Sequence, residues 1–127
     1  SPLDRSSAAS DVYKRQGVTV CTGNDGMRDT WGPYGKPDML ERTMLVGLRN
    51  NFRRDDELAL ALDVATYGNA RVMGLADYGL APGCHADFVL VDAETVAEAI
   101  VSRPVRKLVV KRGRVVARDG RALAEAP

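Results

Sequence analysis

Asp25 is the residue whose type and position in the sequence most favour chemistry. It follows residues 17–22, which are apolar and partly β-branched and predict a strand covered on both faces, as in a parallel sheet. Parallel α/β proteins and β/α barrels place catalytic groups just past the carboxyl ends of such strands. The sequence Asn24-Asp25-Gly26 is also typical of a simple turn. Two interpretations of Asp25 therefore stay open, a catalytic carboxylate and a turn residue.

The segment after Asp25 carries two aromatic residues that could contact a planar ligand. Residues 25–36 are rich in glycine and do not alternate, so they predict a long loop, and ordered loops of this length are commonly functional. Trp31 and Tyr34 lie within this loop. Their rings would either stack on a heterocycle or anchor the loop on the core, because aromatic side chains dominate both pockets and cores.

The sequence does not favour a histidine-rich metal site, a disulfide or a common catalytic or nucleotide-binding motif. His85 is the only histidine, whereas a catalytic zinc or iron site usually has two or three, so we interpret it as a solvated loop residue. Cys21 and Cys84 lie far apart and predict no disulfide, and Cys21 is expected to be a small buried residue. The sequence contains no nucleophile elbow, Walker loop, Rossmann glycine pattern or Cys-x-x-Cys pair.

The charge balance argues against two classes of partner. The 18 Lys and Arg residues against 17 Asp and Glu give a net charge of +1, which favours neither nucleic acid nor an anionic membrane. No apolar run approaches the roughly 20 residues that span a bilayer. The lack of a secretory signal predicts a cytoplasmic location. A group of basic residues near the carboxyl end is interpreted as charge that keeps exposed strands from aggregating: Arg103, Arg106, Lys107, Lys111, Arg112, Arg114 and Arg118.

Local signals predict the helices that follow the loop. Residues 38–52 predict an amphipathic helix capped by Asp38, with apolar side chains at four-residue spacing. A second helix begins after residue 54 and stops near residue 68, and a very short third helix, with Asn69 as its cap, covers residues 70–73. One strand with these helices cannot bury both of its own faces, so we expect neighbouring strands from upstream sequence.

The carboxyl-terminal part of the chain is predicted to be rich in strands. Residues 86–92 predict a strand and residues 95–102 a short helix. Residues 107–111 and 114–117 predict a hairpin around Arg112-Gly113, a two-residue loop of the kind that places glycine at positive φ.

The two ends of the chain are treated apart from the fold. Residues 1–16 are Ser-rich and charged, without periodicity or an apolar targeting region, and resemble a translated cloning adapter, so we interpret them as non-native. Residues 121–127 form an Ala-rich tail for which we predict no structure.

Six stretches of the sequence together resemble cytosine deaminase and its close relatives in the amidohydrolase superfamily. They are residues 17–25, 29–35, 38–40, 76–79, 82–83 and 86–92. The resemblance implies an α/β fold. Residues 17–82 would form the C-terminal end of a (β/α)8 TIM barrel, with its last strand, active-site loop and C-terminal helices. Residues 83–120 would form part of a small β-sandwich that contains the hairpin.

The resemblance also implies an activity. The family hydrolyses non-peptide C–N bonds in cyclic amidines, so the parent enzyme would deaminate an amino-substituted nitrogen heterocycle such as cytosine or an aminotriazine. Asp25 corresponds to the aspartate that contacts a divalent metal, zinc or iron, and shuttles a proton from the bound water. Trp31 corresponds to a tryptophan of the substrate pocket.

Departures from the family pattern limit these expectations. Asn24 stands where the deaminases have a histidine, and Gly26 stands where they have a second aspartate that helps to hold the pyrimidine. The His-x-His pair, two further metal histidines and the general-acid glutamate are absent from this chain. We therefore expect a C-terminal fragment that binds no metal and is inactive by itself. The full-length protein would take a small-molecule substrate, and a homo-oligomer is compatible with the sequence. The alternative hypothesis is a non-catalytic α/β binding or scaffold domain derived from an amidohydrolase.

Overall fold

The computed structural model describes residues 15–124, and its first half is helical. Helix α1 spans Met39–Arg49, where the sequence predicts residues 38–52. Its start is fixed by Asp38, whose carboxylate accepts the backbone N–H groups of Leu40 at 3.0 Å and Glu41 at 3.3 Å. The helix ends earlier than predicted because Asn51 adopts a left-handed φ of 55°, which an α-helix cannot continue.

Helices α2 and α3 follow with little chain between them. Helix α2 spans Asp55–Ala65, and the Glu57 carboxylate in its first turn accepts the backbone N–H groups of Arg53 at 2.7 Å and Arg54 at 3.0 Å. Helix α3 spans Tyr67–Val72 and starts earlier than the predicted 70–73. A single residue therefore separates the two helices.

The second half of the chain forms one antiparallel sheet in the strand order β1-β2-β3-β4. Its strands are β1 (Phe88–Val91), β2 (Arg106–Lys111), β3 (Arg114–Arg118) and β4 (Arg121–Ala122). The predicted strand over 86–92 and the predicted hairpin are confirmed. Strand β4 was not predicted.

The turn of the hairpin and the connection between β1 and β2 also follow from the sequence. Arg112 and Gly113 both have positive φ, 49° and 78°, as a tight two-residue hairpin turn requires. Helix α4, Val96–Ser102, connects β1 to β2 and confirms the predicted short helix. The Thr95 hydroxyl caps it by accepting the Glu98 N–H at 3.0 Å.

The strand predicted for residues 17–22 is not formed. These residues have no regular structure, and none of the strands within residues 15–124 pairs with them. A strand is stabilised by its ladder with neighbours, so an apolar, β-branched sequence does not form one without partners. The expected burial of Cys21 is wrong for the same reason, and its side chain is exposed. The described part of the chain contains one sheet, so the barrel and the sandwich both stay predictions.

The core lies where three helices meet. Helix α1 packs on α2, and α4 packs against both of them. Thr43, Ala61, Val64 and Ile100 are almost completely buried there. Burial of a side chain such as Val64 or Ile100 contributes about 1.5–3 kcal/mol relative to its exposure to water.

Many large apolar side chains lie outside this core. Leu48 is 70% exposed and Leu80 is 79% exposed, and the neighbours Val89 and Leu90, which point to opposite faces of β1, are each 50% exposed. Within residues 15–124, therefore, the helices and the sheet both keep large apolar side chains exposed.

Charged contacts join the helical part to the sheet. The Arg106 guanidinium on β2 pairs with the Asp38 carboxylate that caps α1. Within the sheet, the Asp87 carboxylate accepts the Lys111 ammonium at 2.5 Å and the Arg112 N–H at 2.6 Å. None of the helices within residues 15–124 has the length and apolar character needed to cross a bilayer.

Candidate functional site

Asp25 lies at an exposed bend with a left-handed backbone. Its φ is 58°, a region that residues other than glycine seldom occupy and that Asn and Asp tolerate best. The side-chain amide of Asn24 makes two hydrogen bonds here. Its Nδ2 donates to the Gly26 carbonyl at 3.2 Å, and its Oδ1 accepts the Arg42 Nε–H from α1 at 2.5 Å. Asp25 is exposed, and both interpretations of it, a catalytic carboxylate and a turn residue, stay predictions.

The residues that lead to Asp25 are attached to the junction of α2 and α3. The Thr22 N–H donates to Asn69 Oδ1 at 3.1 Å, while Asn69 Nδ2 donates to the Ala65 carbonyl at 2.9 Å. A Cβ on Gly68 would lie 2.2 Å from the Val20 carbonyl oxygen, so only glycine permits this close approach.

Sequence reasoning assigned Asn69 to a helix cap and missed its role in holding the loop. An asparagine inside a helix is a poor helix former, because its amide competes for backbone hydrogen bonds, and that conflict is a signal of a tertiary contact. Arg42 carried no comparable signal, since arginine is ordinary on an exposed helix face.

The loop after Asp25 is closed on itself by backbone contacts. The Arg28 N–H donates to the Tyr34 carbonyl at 3.0 Å. Asp29 Oδ1 accepts the N–H groups of Trp31 at 2.9 Å and Gly32 at 3.2 Å. The loop is thus held by one main-chain hydrogen bond and by the two that the Asp29 side chain accepts.

The two aromatic rings of the loop are not used to hold it in place. Trp31 is 97% exposed and Tyr34 is 87% exposed. Neither ring therefore anchors the loop on the core formed by residues 15–124, which was one of the two interpretations of the sequence. Contact of Trp31 with substrate stays a prediction.

The described residues by themselves do not fit a complete metal centre. Among residues 15–124 there is no group of three or more His, Cys, Asp or Glu side chains that could hold an ion. Asp25 supplies one carboxylate. His85 is exposed as predicted, and its Nε2 lies 2.7 Å from the Asp77 carboxylate. Residues 15–124 thus offer only part of a ligand set.

Shifted pKa values occur away from the loop. The Lys111 ammonium and the Arg112 N–H lower the pKa of Asp87, and two backbone N–H groups lower that of Glu57. Burial raises the pKa of Tyr78, whose ring packs edge to face on Tyr67 with centroids 5.4 Å apart. These shifts belong to structural contacts of helices α2 and α3 and of the sheet, and they do not identify a second site.

The chain belongs to the amidohydrolase family, whose sequence profile matches residues 5–121. It is 30% identical over 104 residues to N-isopropylammelide isopropyl amidohydrolase of Pseudomonas sp. (strain ADP), a stretch that covers 81% of this chain and 26% of that protein. The resemblance to cytosine deaminase-like members of the amidohydrolase superfamily is thereby confirmed, and the solved structures below agree with it.

Two solved structures have the same fold as the chain. N-isopropylammelide isopropylaminohydrolase from Burkholderia multivorans ATCC 17616 superimposes with a TM-score of 0.88 and 58% identity, over 91% of this chain and 30% of that one. The 5-methylcytosine deaminase from Klebsiella pneumoniae liganded with 5-fluorocytosine superimposes with a TM-score of 0.75 and 30% identity, over 92% and 28%.

The matched region is a minor part of each relative. The chain spans between 26% and 30% of the length of the Pseudomonas, Klebsiella and Burkholderia proteins. The profile match starts at residue 5, inside the segment 1–16 that resembles an adapter, and residues 1–14 lie outside the described residues. The assignment of that segment stays a prediction.

Proposed function

We propose that the chain is part of a metal-dependent amidohydrolase that cleaves an exocyclic C–N bond of an aminotriazine. The observation that carries the proposal is the identity of 58% to the Burkholderia N-isopropylammelide enzyme, against 30% to the 5-methylcytosine deaminase. Ammelide is an amino-substituted triazine. The departures at Asn24 and Gly26 from the cytosine deaminase pattern support the same choice of substrate class.

The proposed reaction is a hydrolysis at a ring carbon. A water oxygen bonds to the carbon that carries the amino substituent, the C–N bond breaks, and the amine leaves with a proton. Asp25 would accept the proton of the attacking water and return it to the departing nitrogen. Positioned groups of this kind contribute about 10²–10⁴-fold to a rate. We assign the divalent zinc or iron ion to the full-length enzyme, with Asp25 as its ligand from this part of the chain.

Three further features belong to the same proposal. The near-neutral charge and the relatives' names support a small-molecule substrate without nucleic acid or membrane partners. The unpaired Cys21 and Cys84 support a reducing cytoplasm. The sequence and structure are compatible with a homo-oligomeric full-length protein.

A second candidate is a non-catalytic α/β binding or scaffold domain derived from an amidohydrolase. The observation that favours it is that residues 15–124 hold no complete group of metal ligands, while helices α1 and α4 have side-chain caps. A scaffold would not require the carboxylate at position 25, so a test of Asp25 distinguishes the two candidates.

A chimeric enzyme provides that test. Residues 17–120 would replace the matching region of the Burkholderia enzyme, and release of isopropylamine from N-isopropylammelide would be measured beside ammonia release from cytosine. We expect activity on the triazine, and a loss of about 10²–10⁴-fold in kcat for Asp25→Asn.

The matched control is Asp119→Asn, because Asp119 is also an exposed aspartate with a left-handed φ. It should keep full activity. A folded chimera that is inactive, or one that tolerates Asp25→Asn, would exclude the enzymatic proposal and favour the scaffold.

A further inference from the structure

We propose that Asp29 is the positioning residue for Trp31, and that it presents the indole ring for stacking on a planar heterocycle. The role of the ring as a stacking platform rests on the proposed function. The control of the ring by Asp29 rests on the geometry of residues 26–35 alone.

The contact is made between one side-chain oxygen and two neighbouring backbone groups. Asp29 Oδ1 accepts the N–H groups of both Trp31 and Gly32. A carboxylate that accepts two N–H groups makes charge-assisted bonds, which are shorter and stronger than neutral ones. The peptide unit that carries the Trp31 side chain is therefore fixed directly by Asp29.

Glycine at position 26 provides the space for this carboxylate. A Cβ on Gly26 would lie 2.1 Å from Asp29 Oδ2 and 3.0 Å from its Cγ. These distances are closer than non-bonded atoms approach, so a side chain at 26 and the present Asp29 conformation exclude each other. Gly26, one of the two residues that depart from the cytosine deaminase pattern, thus accommodates the Asp29 carboxylate.

Glycine at position 35 closes the other side of the loop. Its φ is 110°, and a Cβ there would lie 2.5 Å from the Gly26 carbonyl oxygen. The two ends of the loop therefore meet backbone to backbone, and Asp29 belongs to the loop that they close.

Asp29 restrains the backbone that carries the ring, and the ring itself is not packed. Trp31 is 97% exposed, so burial does not restrict its motion, and the backbone under it is the main restraint within residues 15–124. A backbone fixed before binding reduces the conformational entropy that is lost when a ligand stacks on the ring. Pre-organisation of the Trp31 backbone is the benefit that we assign to Asp29.

Fluorescence of the chain itself tests the control of Trp31 by Asp29. Trp31 is the single tryptophan, so time-resolved anisotropy of its emission reports the motion of this loop on the picosecond to nanosecond scale. We expect Asp29→Ala and Gly26→Ala to enlarge the fast local component at the expense of the slow overall tumbling. Asp29→Asn should restore the wild-type decay, because its amide oxygen can accept the same two N–H groups.

Matched controls separate this effect from unfolding. Asp92→Ala removes an exposed carboxylate that pairs with Lys107, far from the loop, and should leave both the anisotropy and the far-UV circular dichroism unchanged. An unchanged anisotropy decay in Asp29→Ala, or an Asn variant that behaves like the Ala variant, would overturn the inference.

A second measurement uses the chimera with triazine substrate. Asp29→Ala should raise KM with little change in kcat, and Asp29→Asn should rescue it. In a Trp31→Ala background the Asp29→Ala change should have no further effect on KM, since the ring that it positions is gone. Additive effects of the two changes would overturn the inference. An inactive wild-type chimera would reject the proposed function, and the anisotropy result would still decide the role of Asp29.

Discussion

Backbone N–H groups that converge on a carboxylate recur in this chain as a way to fix a local conformation. Asp38 holds the start of α1, Asp29 holds the loop with Trp31, and Asp87 holds the turn between β2 and β3. Each carboxylate accepts bonds from groups that would otherwise point to water. Because an ionised carboxylate is a better acceptor than a protonated one, the contacts of Asp87, whose pKa is lowered by them, make its turn sensitive to acid.

Asp87 gives this sensitivity a defined direction. Its pKa is lowered in the folded state from its ordinary value of 3.8, first by Lys111 and then by the Arg112 N–H. Its contribution is present above the unfolded pKa and is lost as the pH falls through the lower folded pKa. We predict that the free energy of unfolding decreases below about pH 4, and less steeply in Asp87→Asn. Urea unfolding across the acid range would measure this.

The partner residue supplies the control for that experiment. Lys111→Met removes the main cause of the lowered pKa and should reproduce the shallower acid dependence of Asp87→Asn. Part of the dependence should persist in both variants, because Glu57 and Asp56 have pKa values lowered in the same direction. Identical pH curves for wild type and both variants would contradict the role of this contact.

At the scale of elements, the helices and the hairpin could be predicted, whereas the strand predicted for residues 17–22 is not formed. Helices α1, α2 and α4 carry their own caps and apolar spacing, and the hairpin carries its turn, so adjacent residues determine them. A strand depends on ladder partners that lie elsewhere in the sequence. Strand β4 has two residues, too few for any alternating pattern.

The same difference applies to the candidate site. Asp25 and Trp31 were named from residue type and position, and their roles stay predictions. The contacts that hold them were not predicted, because Arg42 to Asn24 and Thr22 to Asn69 join residues 18 and 47 positions apart. No local signal specifies such pairs.

Helix α1 offers a test at this scale, since Asp38 serves both as its cap and as the partner of Arg106. We predict that Asp38→Ala lowers the free energy of unfolding by about 0.5–2 kcal/mol for the cap alone. Asp38→Asn keeps the cap acceptor and loses the charge, so its loss should be smaller and similar to that of Arg106→Gln. Urea unfolding at neutral pH would measure all three, and equal losses for Ala and Asn would show that the cap contributes little.

At the scale of the whole molecule, residues 15–124 expose large apolar side chains and also offer only part of a set of metal ligands. Large apolar side chains are exposed on helices and sheet, including both faces of β1. Contiguous exposed apolar surface in a globular protein commonly marks a region that another part of the structure covers. The chain spans less than a third of the relatives that it matches. In the proposed full-length enzyme, the rest of the protein would pack on these apolar side chains and would supply the remaining metal ligands.

We therefore predict that the purified chain holds no stoichiometric zinc or iron and releases no amine from N-isopropylammelide. Elemental analysis after equilibrium dialysis, with an amine-release assay, would measure both. The chimera described above is the positive control and should retain metal and activity. One tightly held ion per isolated chain would contradict the prediction, because residues 15–124 offer no group of three ligands.

The closeness of Gly68 to the Val20 carbonyl has a consequence for how variants of this enzyme family should be interpreted. A methyl group at position 68 would project from the buried face of α3 into the Val20 carbonyl. It would push outward the stretch of chain that ends in Asp25, more than 40 positions earlier in the sequence. Gly68→Ala would look like a conservative substitution. We expect it to displace the Asp25 carboxylate rather than to unfold the helix.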